Sequence, residues 1–471
     1  MALSPICADS VCFVPNRAGP ADVAPARSIE HCPRIVRALF VHCSCIVDPR
    51  PRGTLNMTLR ACNPEQDREQ IRRVWRECGW ANDDDYKACD LAIDACHTFV
   101  GELNGEVECA VMSNAGDISY LDTIMPFALI AGVTTSHVGR RQGLATRLTA
   151  HALATEAAAG AVVGGLGAFE AGFYDRLGFG TGAYDQFVDF DPQAIMLPAG
   201  VRARPPKRWT DADFEITHAA RVRRRRGHAS CNFDDPRFIQ SENLYRKGSL
   251  TLGYTDNADG SISHCLCFAN RGGNDIGPYR VWWMSYQTRE QLLELFAIMR
   301  NLGDQIRILQ ISEPIGIMLQ DIIPQPFRAA GITKRSEHPY RMWMMAWWQM
   351  RILDVERAMA GTHLPWPASS PVRFNLELTD PITKYLDASA PWTGVAGRYV
   401  VSIGADSSAT VGADSALPTL RTSIGTFTRI WLGVCPASGL AVFNDVEAPE
   451  SLLRELDAAF RLPRPNPDWE F

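Results

Sequence analysis

A chain of 471 residues, 46% hydrophobic and 21% charged, is long enough for about three domains, each with its own core. Its formal net charge of -6 argues against a general nucleic-acid binder, whose affinity rests on a basic surface that releases counterions. No stretch reaches the roughly eighteen consecutive apolar residues of a membrane span, so no membrane insertion is expected, and fourteen cysteines without zinc spacing read as free thiols of a reducing cytoplasm, with no metal site.

Residues 1–56 carry Pro5, Pro15, Pro20, Pro25, Pro33, Pro49 and Pro51, and they show little periodicity. They are expected to form a poorly ordered extension, with one short helix from Pro33 to His42. A strand is predicted over residues 58–62. A helix then opens at Pro64, with Asn63 as its cap and acidic residues in its first turn. A second helical segment follows over 83–95. Strands at 97–103 and 106–112 flank the turn Asn104-Gly105 as a hairpin. The next strand, 129–135, leads into Val138-Gly139-Arg140-Arg141-Gln142-Gly143-Leu144-Ala145-Thr146-Arg147-Leu148. An alanine-rich helix is predicted from Leu144 to Ala158, ending near Gly160.

The arginine loop thus lies between a strand and a helix start. Unpaired amides and the positive end of the helix dipole meet there, and guanidinium groups add bidentate donors for phosphate oxygens. Gly143 permits close approach of the backbone. Gly164-Gly165-Leu166-Gly167 lacks the spacing of a dinucleotide fingerprint, and no P-loop is present. Arg221 and Arg223 to Arg226, in RVRRRRG, are read as a solvated face or a subunit contact rather than a nucleic-acid patch, and Met342 to Met350 as core or subunit contact.

A second α/β section starts near Asp211, with strands expected over 244–252, 263–269, 279–285 and 305–310 and a helix over 288–302. The last section is α+β, with strands at 372–378, 397–403 and 420–424 and a final helix over 451–460.

Val133-Thr134-Thr135 followed by Arg140-Arg141-Gln142-Gly143-Leu144-Ala145 resembles the acetyl-CoA loop of the GNAT acyltransferases. More narrowly, the chain is similar to the Eis (enhanced intracellular survival) family of N-acetyltransferases. Gly172-Phe173-Tyr174-Asp175-Arg176-Leu177-Gly178-Phe179-Gly180 resembles that family's Y-x-R-x-G-[YF]-G segment. Trp348 to Val355 and Leu376-Glu377-Leu378-Thr379-Asp380-Pro381 resemble two further landmarks. His137 and Gly139 depart from a family pattern that commonly has proline and histidine ahead of the arginines.

The resemblance implies tandem GNAT folds, α/β, followed by a sterol-carrier-like α+β domain. The corresponding boundaries are a catalytic domain at 57–205, a GNAT-like domain without a cofactor site at 206–335, and a third domain at 336–471 whose end returns to the active site. It implies acetyl-CoA as co-substrate, with Arg140, Arg141, Gln142, Gly143, Leu144 and Ala145 holding its pyrophosphate and Val133 and Thr135 aligning the pantetheine arm. Tyr174 becomes the general acid, and the terminal carboxylate of Phe471 the group that assists deprotonation. Trp80 and Glu470 are expected to bind a small-molecule amine acceptor, with Asp83, Asp84 and Asp85 flanking the cleft. Aminoglycosides and other polyamines are the implied acceptors, and a homo-hexamer the implied assembly. Another acyl-CoA, a biosynthetic amine, or a non-catalytic lipid-binding scaffold are the competing expectations.

Overall fold

The structure is a computed structural model that describes residues 56–168, 172–246, 248–271, 276–324, 341–365 and 371–470. The expected extension, including its short helix, lies outside the described residues.

Strand β1 (Met57–Ala61) leads into helix α1 (Pro64–Glu77). The Asn63 side chain accepts from the Glu65 amide at 3.1 Å, Pro64 takes the first turn, and Ile71, Val74 and Trp75 form the buried stripe at helical spacing. Helix α2 (Tyr86–Ala95) follows a short 3₁₀ turn. Strands β2 (His97–Leu103) and β3 (Glu106–Tyr120) form the expected hairpin, with Asn104 and Gly105 both at positive φ. Strand β3 runs eight residues past the expected end at Met112, because it pairs with β4 (Thr123–Thr135) over its whole length. Helix α3 (Leu144–Ala158) buries Leu144, Leu148 and Leu153 against this sheet, worth roughly 1.5–3 kcal/mol for each fully buried leucine. Strand β5 (Val163–Gly167) is the GGLG segment. Its glycines are there for packing, since a Cβ on Gly165 would lie 2.5 Å from Cζ of Phe127.

After the two-residue strand β6 (Gly180–Thr181) the chain enters a second sheet. That sheet is built from β7 (Asp185–Phe190) and β8 (Lys207–Trp209), then helix α4 (Phe214–Val222). Strand β9 (Cys231–Phe233) returns to pair with β3, and helix α5 (Pro236–Arg246) follows. The strand expected over 244–252 is therefore half wrong: Leu244 lies in the last turn of the helix opened at Pro236, and β10 (Leu250–Tyr254) starts only after it. Strands β11 (His264–Asn270) and β12 (Tyr279–Ser285), helix α6 (Arg289–Asn301), and strands β13 (Leu309–Ser312) and β14 (Arg341–Met345) complete the seven-stranded order β14-β7-β13-β12-β11-β10-β8.

Strand β15 (Trp348–Ile352) then goes back to the first sheet, whose order is β1-β2-β3-β4-β5-β15-β6. The sheets thus interleave across the expected boundaries at 205 and 335. The apolar run 342–350 splits accordingly: Met344 is 60% exposed on β14, whereas Trp348 and Met350 are buried.

Helix α7 (Val355–Ala360) leads to a four-stranded sheet of β16 (Val372–Thr379), β17 (Gly397–Ile403), β18 (Ser408–Val411) and β19 (Thr419–Ser423), ordered β18-β17-β16-β19. Helices α8 (Ile424–Trp431), α9 (Ala437–Leu440) and α10 (Glu450–Ala459) cover it. This third unit shares one apolar cluster with the first sheet, and Trp431 stacks on Tyr120 with centroids 4.5 Å apart. A fully buried ion pair, Arg351 to Asp380 at 2.6 Å, crosses the same boundary.

Candidate active site

Strands β4 and β5 pair in parallel from Phe127 and Val163 to Ile130 and Leu166, and then separate. The pairing of β4 with β3 shifts register at Gly132 and Val133, where Gly132 has φ +61. Among the described residues no strand faces 131–135 on the β5 side, so backbone donors and acceptors line a slot. Val133 and Thr135 sit half-buried on its edge.

Beyond Thr135 the loop is braced from beneath. Ser136 Oγ donates to the buried Glu108 carboxylate and accepts from the Gly139 amide at 3.0 Å, and Arg73 reaches Glu108 at 3.5 Å. Gly139 is packed, since a Cβ there would stand 3.0 Å from Leu144 and Thr135 side-chain carbons. The His137 amide donates to Glu77 at 3.3 Å. Arg141 (φ +61) and Gly143 (φ +82) then turn the chain into α3.

Gly143 supplies no capping side chain. The amides of Arg141, Gly143, Leu144 and Ala145 consequently find no acceptor among the described residues. Arg140 and Arg141 are exposed and form no ion pair there. Together these groups make a cradle for an anion at the mouth of the slot. Arg147 is turned away, with Nη2 at 2.9 Å from Asp387 of the third unit.

Tyr174 lies on the turn after β5 and is only 4% exposed. Its ring meets Phe173 edge-on at 4.8 Å and Phe179 at 6.1 Å, within the apolar cluster that holds Ile130, Leu144 and Leu148 and against which Val133 packs. The donor-loop residues and Tyr174 thus share one corner of the first sheet.

On the other side of β5, the Ala168 amide donates to the Trp347 carbonyl at 2.6 Å, and Trp347 Nε1 donates to Asp185 Oδ2 at 2.5 Å. Both Trp347 and Asp185 line a cavity of about 60 Å³ together with Trp282, Trp283, Glu313 and the tail residues Asp468, Trp469 and Glu470. That is room for a few waters or an ammonium head group. Burial raises the Asp185 carboxyl from its ordinary 3.8 to about 7, against the lowering effect of the Trp347 bond. Its Oδ1 has no hydrogen-bond partner among the described residues, nor do the buried Nε1 groups of Trp282, Trp283 and Trp469.

The acceptor-side residues named from the sequence are placed otherwise. Trp80 packs partly buried against the first core, its carbonyl accepts from Tyr245 Oη at 2.8 Å, and it does not line the cavity. Asp83 pairs with Arg76 at 3.0 Å, and Asp85 accepts from the Asn82 amide at 3.1 Å in a capping box, so these acids serve the helix start. Glu470 does line the cavity, but Arg280 donates to its carboxylate and Arg246 stands 3.9 Å away. Phe471 lies outside the described residues.

The reading of RVRRRRG as a solvated face or subunit contact is overturned for two of its arginines: Arg221 and Arg224 are buried, 1% and 4% exposed. Arg221 stacks on the Trp469 ring at 3.6 Å, and Arg224 Nε donates to Asp468 at 2.5 Å. Asp185, Trp347 and these arginines are the residues that sequence reasoning missed. The available signal was complementarity, since the basic run matches the acidic and aromatic Asp468-Trp469-Glu470. Asp256, His264 and Glu294 also cluster, but Arg204 donates to both carboxylates and meets their charge.

Residues 59–182 match the family described as the acetyltransferase (GNAT) domain, and residues 355–467 match the sterol carrier protein domain. No curated protein matches the chain. Among solved structures, a probable N-acyltransferase of unknown function from Enterococcus faecalis is similar, with TM-score 0.69 and 14% identity over 87% of this chain and 98% of that one. A GCN5-related N-acetyltransferase from Anabaena variabilis gives 0.68 and 14% over 87% and 98%. Eis1 from Mycobacterium abscessus gives 0.68 and 17% over 88% and 100%. At these identities the structural likeness establishes the fold, tandem GNAT units followed by a sterol-carrier-like unit. The domain match over residues 59–182, not the structural likeness, carries the activity, that of an acyl-CoA-dependent acyltransferase.

Proposed function

We propose that the chain moves an acetyl group from acetyl-CoA to an amine of a small hydroxylated polyamine, with aminoglycosides as the reference class. The observation that carries this reading is the cradle of the Arg141, Gly143, Leu144 and Ala145 amides, which find no acceptor among the described residues, beside the exposed guanidinium groups of Arg140 and Arg141. It matches a pyrophosphate in charge and donor geometry, and the slot beside Val133 and Thr135 receives the arm that follows. Gln142 is the exposed crest of the loop, and Leu144 anchors it in the core.

The amine nitrogen attacks the thioester carbonyl carbon, the carbon–sulfur bond breaks, the sulfur leaves with the proton of Tyr174 Oη, and the phenolate is reprotonated through water by the proton that the attacking nitrogen releases as it becomes an amide. A phenol with an ordinary pKa of about 10 is a donor at neutral pH. The attacking ammonium must first lose a proton. We assign that step to the terminal carboxylate of Phe471, with water carrying the proton; its ordinary value of about 3.5 lies far below that of an ammonium, so desolvation in the site has to narrow the gap. The tail residues Asp468, Trp469 and Glu470 on the cavity wall support this assignment.

Acceptor class follows from the cavity. Asp185 and Glu313 suit an ammonium group, and tryptophans offer ring faces for cations and buried N–H donors for hydroxyls. Trp80 is retained only as an outer contact. We further propose a homo-hexamer in the cytoplasm: Val442 and Phe443, 66% and 93% exposed, suit burial between copies, and nine described cysteines are unbridged. A panel of polyamines and aminoglycosides, scored by thiol release from acetyl-CoA, tests the reading. Release that ignores amine charge and hydroxylation would contradict the acceptor assignment.

A further inference from the structure

Two arginines of the run at the end of α4, Arg221 and Arg224, are buried where a charge run ordinarily faces water, and their partners lie at the far end of the chain. Arg224 carries the most bonds. Its Nε donates to Asp468 Oδ2 at 2.5 Å and its Nη2 to the Asp468 carbonyl at 3.1 Å, while Nη1 is fixed by Asn232 at 2.6 Å and by the Arg221 carbonyl at 3.0 Å. The Arg221 guanidinium carbon stands over the Trp469 ring, 3.6 Å from its centroid, and is backed by Glu242 at 3.5 Å. Burial pulls the Arg221 guanidinium down to about 9, so it stays charged at neutral pH.

Backbone bonds extend the grip. The Cys231 amide donates to the Pro467 carbonyl at 2.8 Å, and the Asn466 amide to the His228 carbonyl at 3.0 Å. Arg280 and Arg246 take Glu470. The segment that receives the tail is itself fastened to the catalytic sheet, because β9 pairs with β3 and Arg226 meets Asp117 at 2.5 Å. Tail position is therefore referred to the sheet that carries the slot.

We propose that Arg224, with Arg221, is a positioning residue for acyl transfer: the pair holds Asn466 to Glu470 as one wall of the cavity. The inference rests on the part given to that cavity in the proposed function. A buried arginine bonded to both side chain and carbonyl of one tail residue sets register as well as affinity, which a lysine cannot reproduce.

The test uses the full chain with Arg224→Ala, Arg224→Lys, Asp468→Ala and, as control, the exposed Arg223→Ala. Hydrogen exchange at the Asn466 and Cys231 amides reads the clamp, and steady-state kinetics reads the reaction. Arg224→Ala and Asp468→Ala should speed exchange at both amides by about tenfold or more, the scale of a lost charge-assisted bond. They should lower kcat by a similar factor while the KM for acyl-CoA stays within about twofold. Arg224→Lys should recover part of both, and Arg223→Ala should change neither.

If Arg224→Ala does not fold, Asp468→Ala cuts the same bond from the tail side and decides alone. Unchanged exchange at Asn466 and Cys231 overturns the proposal, as does a loosened tail with unchanged kcat. If the unaltered chain transfers no acyl group, the proposed function fails, while the exchange arm still decides whether the arginines hold the tail.

Discussion

Replacing Asp185 with asparagine should make the protein more resistant to unfolding at pH 8 than at pH 5, relative to the unaltered chain. The carboxyl is 3% exposed, and burial raises its pKa from 3.8 to about 7. A raised carboxyl favours the native state while protonated. Its contribution is greatest below pH 3.8 and falls as pH climbs from there to about 7, where the unfolded chain has released the proton and the folded chain has kept it; above that window it is flat. Three units correspond to about 4 kcal/mol, of which about 1.5 kcal/mol is already lost at pH 5. Asparagine does not titrate and can still accept from Trp347. The stability difference between variant and unaltered protein should therefore shift by roughly 3 kcal/mol in the variant's favour between pH 5 and pH 8. Urea unfolding at the two pH values reads it. Arg225, Glu313, Asp468 and Glu470 share the cavity lining, and Arg464 also acts on Asp185 through its charge, so the asparagine difference, not the whole pH profile, isolates Asp185. A difference independent of pH would refute the buried, protonated carboxyl. The same substitution should weaken a cationic acceptor, because an ionised Asp185 is what an ammonium in the cavity would meet.

Tyr174→Phe should lower kcat by about a hundredfold or more with little change in acyl-CoA affinity, as expected for loss of a general acid, and steady-state kinetics checks this. Replacing Arg140 and Arg141 together by alanine should raise the KM for acyl-CoA by roughly tenfold or more and leave the thermal midpoint nearly unchanged, since both side chains are exposed and neither is paired among the described residues. Gly165→Ala should destabilise by about 1–3 kcal/mol, because its Cβ would meet the Phe127 ring at 2.5 Å, and chemical unfolding would show it.

Much of this architecture was legible where local and global demands agree. Helix α3 runs over the residues expected because a run of alanines and buried leucines sits between Gly143 and Gly160, both at positive φ. Strands β12 and β17 likewise run over the expected residues 279–285 and 397–403. The misplaced strand at 244–252 shows the limit, since its apolar pattern straddles the last turn of α5 and the start of β10, and the Asp235-Pro236 helix start went unused. The arginine loop could be read because its own residues carry the function.

Asp185 could not be read in that way. Its environment comes from Trp347, in the connection between β14 and β15, and from the tail, and no window of sequence contains all three. The arginine run was misread for the same reason: Arg224 and its partner Asp468 are 244 positions apart. Charge patterns predict exposure only when their counter-charges are local.

The account turns on donor and acceptor meeting at the slot between β4 and β5. The most direct measurement incubates the full chain with acetyl-CoA and a cationic polyamine, and follows thiol release and acylated amine in the same sample. Equal amounts of free thiol and amide, with hydrogen-exchange protection of the amides from Arg141 to Ala145 by CoA, are the predicted result. No amide with any cationic amine, together with no protection of those amides by CoA, would contradict it.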